Sequence, residues 1–300
     1  MDKVHIALVA NDRYRPGLEC TKASMLRACA TPERLVFHEY GDKDMEPFLG
    51  RVPMEDYNGS KLTYLRLFLP ELLPECDWVI YSDVDTLWFR DPCEMWAERD
   101  DSVSVCWAKD FPTGAMDFER WAAGLGLNVK VAGTCACAGV MLINLRKWRM
   151  NDFTGQAIEF LRKYGCPPYP DQCVMNVLFA NDAKMLRSEW DVLIPPCIWR
   201  PCVLHIAGMG VRLFGADVYE GKLAQYVFWI NYYRKYIRHL PPQELRFAQR
   251  AKFVLFAALN FSVGPVLALL DSFKGPYGWK VFLMRVRRRL GFARYALMKV

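Results

Sequence analysis

The sequence has no Cys-x-x-Cys pair, although it contains 11 cysteines. Zinc-ligand spacing is also absent and the cysteine count is odd, so neither a zinc ribbon nor a fully paired disulfide framework is expected. The thiols are read as free, most of them as small buried hydrophobes in a reducing, intracellular setting. The start, Met1-Asp2-Lys3, lacks the basic stretch, apolar centre and small-residue cleavage site of a secretory signal. Internal repeats and low-complexity stretches are missing, which argues against a repeat array and against disorder. The uncharged run Phe253–Leu270 is short for a bilayer span, and Gly264-Pro265 breaks it. An interfacial or shallowly inserted segment is the expectation there. Acidic residues are scarce at the same end: residues 222–300 carry 15 Lys/Arg against only Glu244 and Asp271.

What is present suits a folded enzyme-sized chain. Of its 300 residues, 53% are hydrophobic and 24% charged, enough for a full core in one large domain or a domain with an appendage. The overall charge of +6 hides a division. The segment after residue 221 is strongly basic, and the body before it is net acidic. Composition changes near residue 217, so the expected organisation is a domain over 1–216 and a helical, basic and apolar tail over 217–300. Within the tail, residues 223–239 are rich in tyrosine, and Arg285, Arg287, Arg288 and Arg289 cluster near the end. Such a tail suits an anionic membrane surface. The expected location is therefore cytoplasmic and peripheral, on the inner face of a membrane. Basic and aromatic composition alone is weak ground for nucleic-acid binding, which is not expected.

Apolar runs at Val4–Ala10, Leu35–Phe37, Trp78–Tyr81, Val103–Trp107 and Gly139–Asn144 read as strands. Helical spacing falls at Leu18–Cys29, Lys61–Leu73, Asp152–Tyr164 and Gln172–Phe179. Strands alternating with helices predict an α/β fold with a largely parallel sheet, whose ligand sites lie beyond the carboxyl ends of the strands. Asn11-Asp12 and Asp83-Val84-Asp85 follow two of these strands.

Asp83 and Asp85 carry the sharpest signal. In an extended segment, residues i and i+2 project to the same side. Two carboxylates so placed repel each other unless a cation lies between them. Apolar residues bracket them, Trp78–Tyr81 before and Thr86-Leu87-Trp88-Phe89 after, so uncompensated charge would be costly. Hard oxygen ligands of this kind suit Mg²⁺ or Mn²⁺, ions that commonly bridge phosphates.

Tyr81-Ser82-Asp83-Val84-Asp85-Thr86-Leu87 resembles the metal motif of glycosyltransferase family 8, which includes bacterial lipooligosaccharide galactosyltransferases and glycogenins. Five further blocks match in the same order. They are Ala10–Tyr14, Thr63–Leu67, Ala138–Trp148, Pro170–Asn176 and His205–Gly208, and Ala138–Trp148 is the most specific. The resemblance covers residues 3–212. It implies a GT-A fold (Rossmann-like, binding a nucleotide-diphospho-sugar), a UDP-sugar donor, a divalent metal and transfer with retention of anomeric configuration. By the same resemblance Asp83, Asp85 and His205 would hold the metal, usually Mn²⁺, with Mg²⁺ as the alternative. An imidazole beside two carboxylates fits Mn²⁺ better than Mg²⁺. Ala10, Asn11, Tyr14, Val84, Gly208 and Arg212 would bind the nucleotide. Arg66, Asp83, Cys137, Ala138, Asp171 and Gln172 would face the donor sugar, with Asp171 and Gln172 nearest the reaction. The resemblance thus points to a hexosyltransferase, and the basic, apolar tail motivates a glycan or lipid-linked acceptor at a membrane, in lipopolysaccharide or surface-glycan synthesis.

Three positions depart from the family pattern. Cys137 stands where an asparagine is usual, Cys173 where a second aspartate is usual, and Val211-Arg212 where a lysine is usual. A thiol is a weak hydrogen-bonding group, so donor choice is affected first. These changes also leave open a non-catalytic sugar-nucleotide-binding or membrane-binding protein on the same scaffold, and an enzyme that hydrolyses the donor or glycosylates itself.

Overall fold

The apolar run at the start forms strand β1, Val4–Val9. Asn11 follows it, and its side chain accepts a hydrogen bond from the Tyr14 amide at 3.1 Å, capping a 3-10 turn over Asp12–Tyr14. Helix α1, Arg15–Ala28, has a proline in its first turn, where the missing N–H leaves no helical bond unmade. The computed structural model describes residues 2–53, 60–109, 112–127, 135–193 and 201–205. Gly208, Arg212 and the 217–300 tail, for which roles were expected, lie outside the described residues.

After α1 come β2 (Leu35–Tyr40), α2 (Asp42–Met45), α3 (Leu69–Leu72), β3 (Trp78–Ser82), β4 (Thr86–Trp88) and α4 (Pro92–Trp96). Then follow β5 (Val105–Lys109), α5 (Pro112–Gly124), β6 (Ala136–Asn144), α6 (Leu145–Met150), α7 (Phe153–Tyr164) and α8 (Pro170–Leu178). Three short strands complete the described order: β7 (Ala183–Leu186), β8 (Val192–Leu193) and β9 (Val203–His205). The helix expected over Lys61–Leu73 is instead a 3-10 segment, Leu62–Phe68, running into the short α3. Pro70 gives a physical reason for the break: with no N–H, it fits only in the first turn of the α-helical part.

The main sheet has the order β2-β1-β3-β6-β5-β7. Strand β1 pairs in parallel with β2 and β3, and β5 in parallel with β7. Strand β6 runs antiparallel to both its neighbours, β3 and β5. This single reversal has a use. It brings the beginning of β6 to the carboxyl end of β3, with Val140 opposite Ser82. A second sheet, β4-β9-β8, pairs Thr86 with His205 and Leu193 with His205. The strand that leaves the aspartate pair is therefore zipped to the strand that carries His205.

Side chains alternate across the main sheet into two cores. On one face Tyr64, Phe68, Trp107, Trp148, Phe153 and Phe179 pack with Val79 and Tyr81. On the other, Ile6, Leu8, Ile80, Leu142, Trp88 and Trp190 pack together. Trp148 shows how the strand–helix block Ala138–Trp148 is anchored. It is buried, its Nε1 donates to Thr154 Oγ1 at 3.0 Å, and Thr154 Oγ1 donates to the Leu67 carbonyl at 2.7 Å. Truncating such a side chain removes about 3–5 kcal/mol. Among the described residues, no helix is long and apolar enough to cross a membrane.

Candidate active site

Strand β3 ends at Ser82, and a tightly bonded turn then positions both aspartates. The Asp83 amide donates to the Gly139 carbonyl at 2.7 Å. Thr86 Oγ1 donates to the Asp83 carbonyl at 2.9 Å, and Thr21 Oγ1 on α1 donates to the Thr86 carbonyl at 2.8 Å. With its backbone tied at both ends, the turn points Asp83 and Asp85 toward His205. His205 Nε2 lies 3.3 Å from Asp85 Oδ1 and 3.6 Å from Asp83 Oδ2. One ligand atom from each of the three residues falls within 4.8 Å of the others.

Each member is held from behind. Asp83 Oδ1 accepts from Arg66 Nη2 at 2.9 Å and from the Tyr81 hydroxyl at 2.7 Å, which leaves Oδ2 on the His205 side. His205 Nδ1 meets Asp191 Oδ1 at 2.9 Å, which leaves Nε2 facing the aspartate pair. Asp191 precedes β8 and is buried, and its Oδ2 has no hydrogen-bond partner. Gly139 makes room for this arrangement: a Cβ there would lie 2.1 Å from His205 Cε1 and 3.0 Å from Asp83 Oδ2. Only glycine allows the start of β6 to pass so close to both ligands.

Arg66 links this cluster to a second carboxylate. It is 6% exposed, so it is not a surface arginine. Its Nη1 donates to the Ala138 carbonyl at 2.6 Å, and its Nε lies 2.7 Å from Asp171 Oδ2 as an ion pair without hydrogen-bond alignment. Asp171 Oδ1 accepts from Thr63 Oγ1 at 3.1 Å. Gln172, next on α8, accepts the Ala138 amide at its Oε1 at 3.1 Å. Both backbone groups of Ala138 are thus committed to residues of the candidate site.

The electrostatics follow from burial and neighbours. For His205, burial opposes protonation, but Asp191 and Asp85 outweigh it and raise the imidazole well above its usual value. Burial raises Asp83, and Asp85 adds to the effect against the opposing pull of Arg66, His205 and Tyr81. Burial also raises the Tyr81 phenol well above its usual value, which keeps it a donor to Asp83. Arg66 stays cationic: burial works against its charge, and Asp171 and Asp83 more than restore it. The side chains of Asp83, Asp85, Asp171 and Asp191 face one arginine and one histidine in this cluster. That excess of negative charge, together with the convergence of one oxygen each from Asp83 and Asp85 on a ring nitrogen of His205, fits a divalent cation. Asp83 and Asp85 retain 27% and 13% side-chain exposure, so the cluster opens to solvent on the aspartate side.

The remaining expected residues occupy different surroundings. Ala10 and Asn11 leave β1 beside the exit of β3, because Leu8 pairs with Ser82. Tyr14 closes the capped turn that follows. The Val84 side chain is buried in the core with Ile6, Ile80 and Trp88, so only its backbone is available to a ligand. Cys137 Sγ lies 3.7 Å from His205 Nδ1. Cys173 packs with Phe118 and Cys135 in a small buried cluster, where a carboxylate would be costly. Asp191 carries no distinctive pattern in the sequence, and Tyr81 and Thr63 stand inside matched blocks with no role read for either. Gly139 was visible in its block, but its reason was not.

Comparison with known proteins agrees with this architecture. The family model described as glycosyl transferase family 8 matches residues 29–206, and the chain belongs to that family. Mouse glucoside xylosyltransferase 1 is 27% identical over 146 residues, covering 45% of this chain and 35% of that protein. An Arabidopsis thaliana galacturonosyltransferase-like protein is 23% identical over 193 residues, covering 53% of this chain and 57% of its own length. The matched region thus spans only part of these curated relatives. Among solved structures, the galactosyltransferase LgtC in complex with donor and acceptor sugar analogues superposes with a TM-score of 0.55 at 20% identity. That match covers 75% of this chain and all of LgtC. The fold is therefore GT-A, a mixed α/β architecture on a mostly parallel sheet.

Proposed function

We propose that this chain is a metal-dependent, retaining glycosyltransferase that moves a hexose, glucose or galactose, from a UDP-sugar to a glycan or lipid-linked acceptor. The observation that carries the proposal is the convergence of Asp83, Asp85 and His205 at the exit of β3. In this reading those three residues hold Mn²⁺, or Mg²⁺ in its place. When bound, the cation neutralises charge on the departing diphosphate. Asp191 keeps the His205 ring oriented, and Arg66 does the same for Asp83.

The sugar sits on the side of Asp171 and Gln172. Cleavage of the sugar–phosphate bond leaves positive charge on the sugar, and the Asp171 carboxylate stabilises it and binds donor hydroxyls. Gln172 is a neutral amide whose oxygen already accepts from Ala138, so it is a poor nucleophile. We therefore favour attack of the acceptor hydroxyl on the same face as the leaving phosphate, which takes the acceptor's proton. Asn11, Tyr14, Ala10 and the Val84 backbone hold the nucleotide, together with Gly208 and Arg212. Cys137 and Ala138 face the sugar.

Release of UDP from a panel of UDP-sugars, with purified protein and Mn²⁺, tests the proposal. Metal-dependent release from one donor, reduced about 100-fold or more by Asp85→Ala, is the expected result. Donor binding without release under any acceptor would favour a non-catalytic sugar-nucleotide binder. The composition of residues 217–300 supports an acceptor at an anionic membrane, in lipopolysaccharide or surface-glycan assembly. Full-length protein with Arg285, Arg287, Arg288 and Arg289 replaced by glutamine should bind anionic vesicles more weakly. Unchanged binding would remove that support.

A further inference from the structure

A second cluster of ligating side chains lies at the opposite end of β3, away from the aspartates. His5 lies on β1, His38 on β2, and Cys76 two residues before β3. The sheet order β2-β1-β3 puts the strand of His5 between the other two. His5 Nδ1 is 3.0 Å from His38 Nε2 and 3.5 Å from Cys76 Sγ. All three ligand atoms lie within 4.8 Å of one another, and the imidazole rings stack at 5.3 Å with 19° between their planes.

As a simple hydrogen-bonded group this arrangement is imperfect. A ring nitrogen offers one in-plane position, either an N–H or a lone pair. Yet a second imidazole and a thiol both converge on His5 Nδ1. A cation among the three atoms would satisfy all of them at once. Burial holds both histidines below their usual values, in the neutral form that metals require.

We infer that His5, His38 and Cys76 form a second metal site, for a zinc-class divalent cation. Two imidazole nitrogens and one sulfur are a borderline-soft set, which selects Zn²⁺ or Co²⁺ over the Mn²⁺ and Mg²⁺ suited to the carboxylate cluster. Binding releases the Cys76 thiol proton to solvent. The hydrogen between the two imidazoles moves to the outer nitrogen of its ring, and no electrons are transferred. Three protein ligands leave a coordination position for water. The cation would tie β1 to β2 and to the entry of β3, a structural role independent of the transferase reaction.

Co²⁺ titration of metal-stripped, full-length protein tests the site. A tetrahedral thiolate–Co²⁺ spectrum is expected, lost in Cys76→Ser and in His38→Ala, and retained in Asp85→Ala and Cys93→Ser. Zn²⁺ should raise the melting temperature of the wild type and of Asp85→Ala, but that shift should vanish in His38→Gln. This second variant decides the matter if Cys76→Ser does not fold. A wild type with no thiolate–Co²⁺ band overturns the inference. So does a band that survives Cys76→Ser, because it would belong to another thiol such as Cys137 or Cys93. The outcome is separable from the transferase reading, since Asp85→Ala should cut turnover about 100-fold or more and leave this spectrum intact.

Discussion

Strand β3 has a polar cluster at each end, and the two differ in chemistry. At its entry, Cys76 joins two neutral imidazoles with no carboxylate among the three ligand atoms. At its exit, Asp83 and Asp85 join one imidazole whose far side is backed by a third carboxylate, Asp191. The exit cluster accumulates negative charge and opens to solvent on the aspartate side, as expected for a site that manages phosphate. The entry cluster is nearly neutral and ties together strands that are already paired. On this difference rest the two proposals, transferase chemistry at the exit and a structural cation at the entry.

The largest test of this contrast is steric. Gly139→Ala should push His205 out of place, because the new Cβ would lie 2.1 Å from its ring. Mn²⁺ affinity should fall about 100-fold while the circular dichroism spectrum is kept, the upper end of the range for disturbing the support of a metal ligand. Calorimetric titration with Mn²⁺ reads this directly, and wild-type affinity in the variant would contradict the packing argument.

Asp191→Asn should have a smaller effect. The amide can still accept from His205 Nδ1, but it lacks the charge, so about a tenfold loss of Mn²⁺ affinity is expected. Turnover at saturating Mn²⁺ should stay near wild type, a split that separates positioning from a general loss of structure. Equal losses at low and saturating metal would argue that Asp191 supports the fold alone.

Cys137→Asn addresses donor choice. Restoring the usual family side chain should change the ratio of kcat/KM between UDP-glucose and UDP-galactose by up to about tenfold, the scale of one hydrogen bond. An unchanged ratio would place Cys137 outside the sugar contacts. The smallest effect belongs to the other end of β3. Cys76→Ser should leave UDP release within about twofold of wild type, because distant independent sites do not couple. A large loss of turnover would mean that the two ends communicate.

The exit site was largely legible in the sequence because its ligands are contiguous with apolar runs. Asp83-Val84-Asp85 follows a buried strand directly, and the Ala138–Trp148 block delivers Ala138 and Gly139 beside it. Arg66 stood out in the sequence as a candidate site residue and lies between Asp83 and Asp171, although the local 3-10 geometry around it was not legible. The reversal of β6 was hidden, because a buried strand has the same apolar pattern in either direction. Asp191 was hidden because its partner His205 comes 14 residues later, brought close by pairing between β8 and β9. The entry cluster was hidden for a similar reason: His5, His38 and Cys76 are far apart in sequence, and each reads locally as part of a strand or its approach.

The most direct measurement is calorimetric titration of the wild type and Asp85→Ala with UDP-glucose and UDP-galactose, with and without Mn²⁺. Wild-type protein should bind one donor tightly only when Mn²⁺ is present, and Asp85→Ala should lose that Mn²⁺-dependent gain. Donor binding that ignores Mn²⁺, or that survives Asp85→Ala unchanged, would contradict the assignment of Asp83, Asp85 and His205 as the metal site.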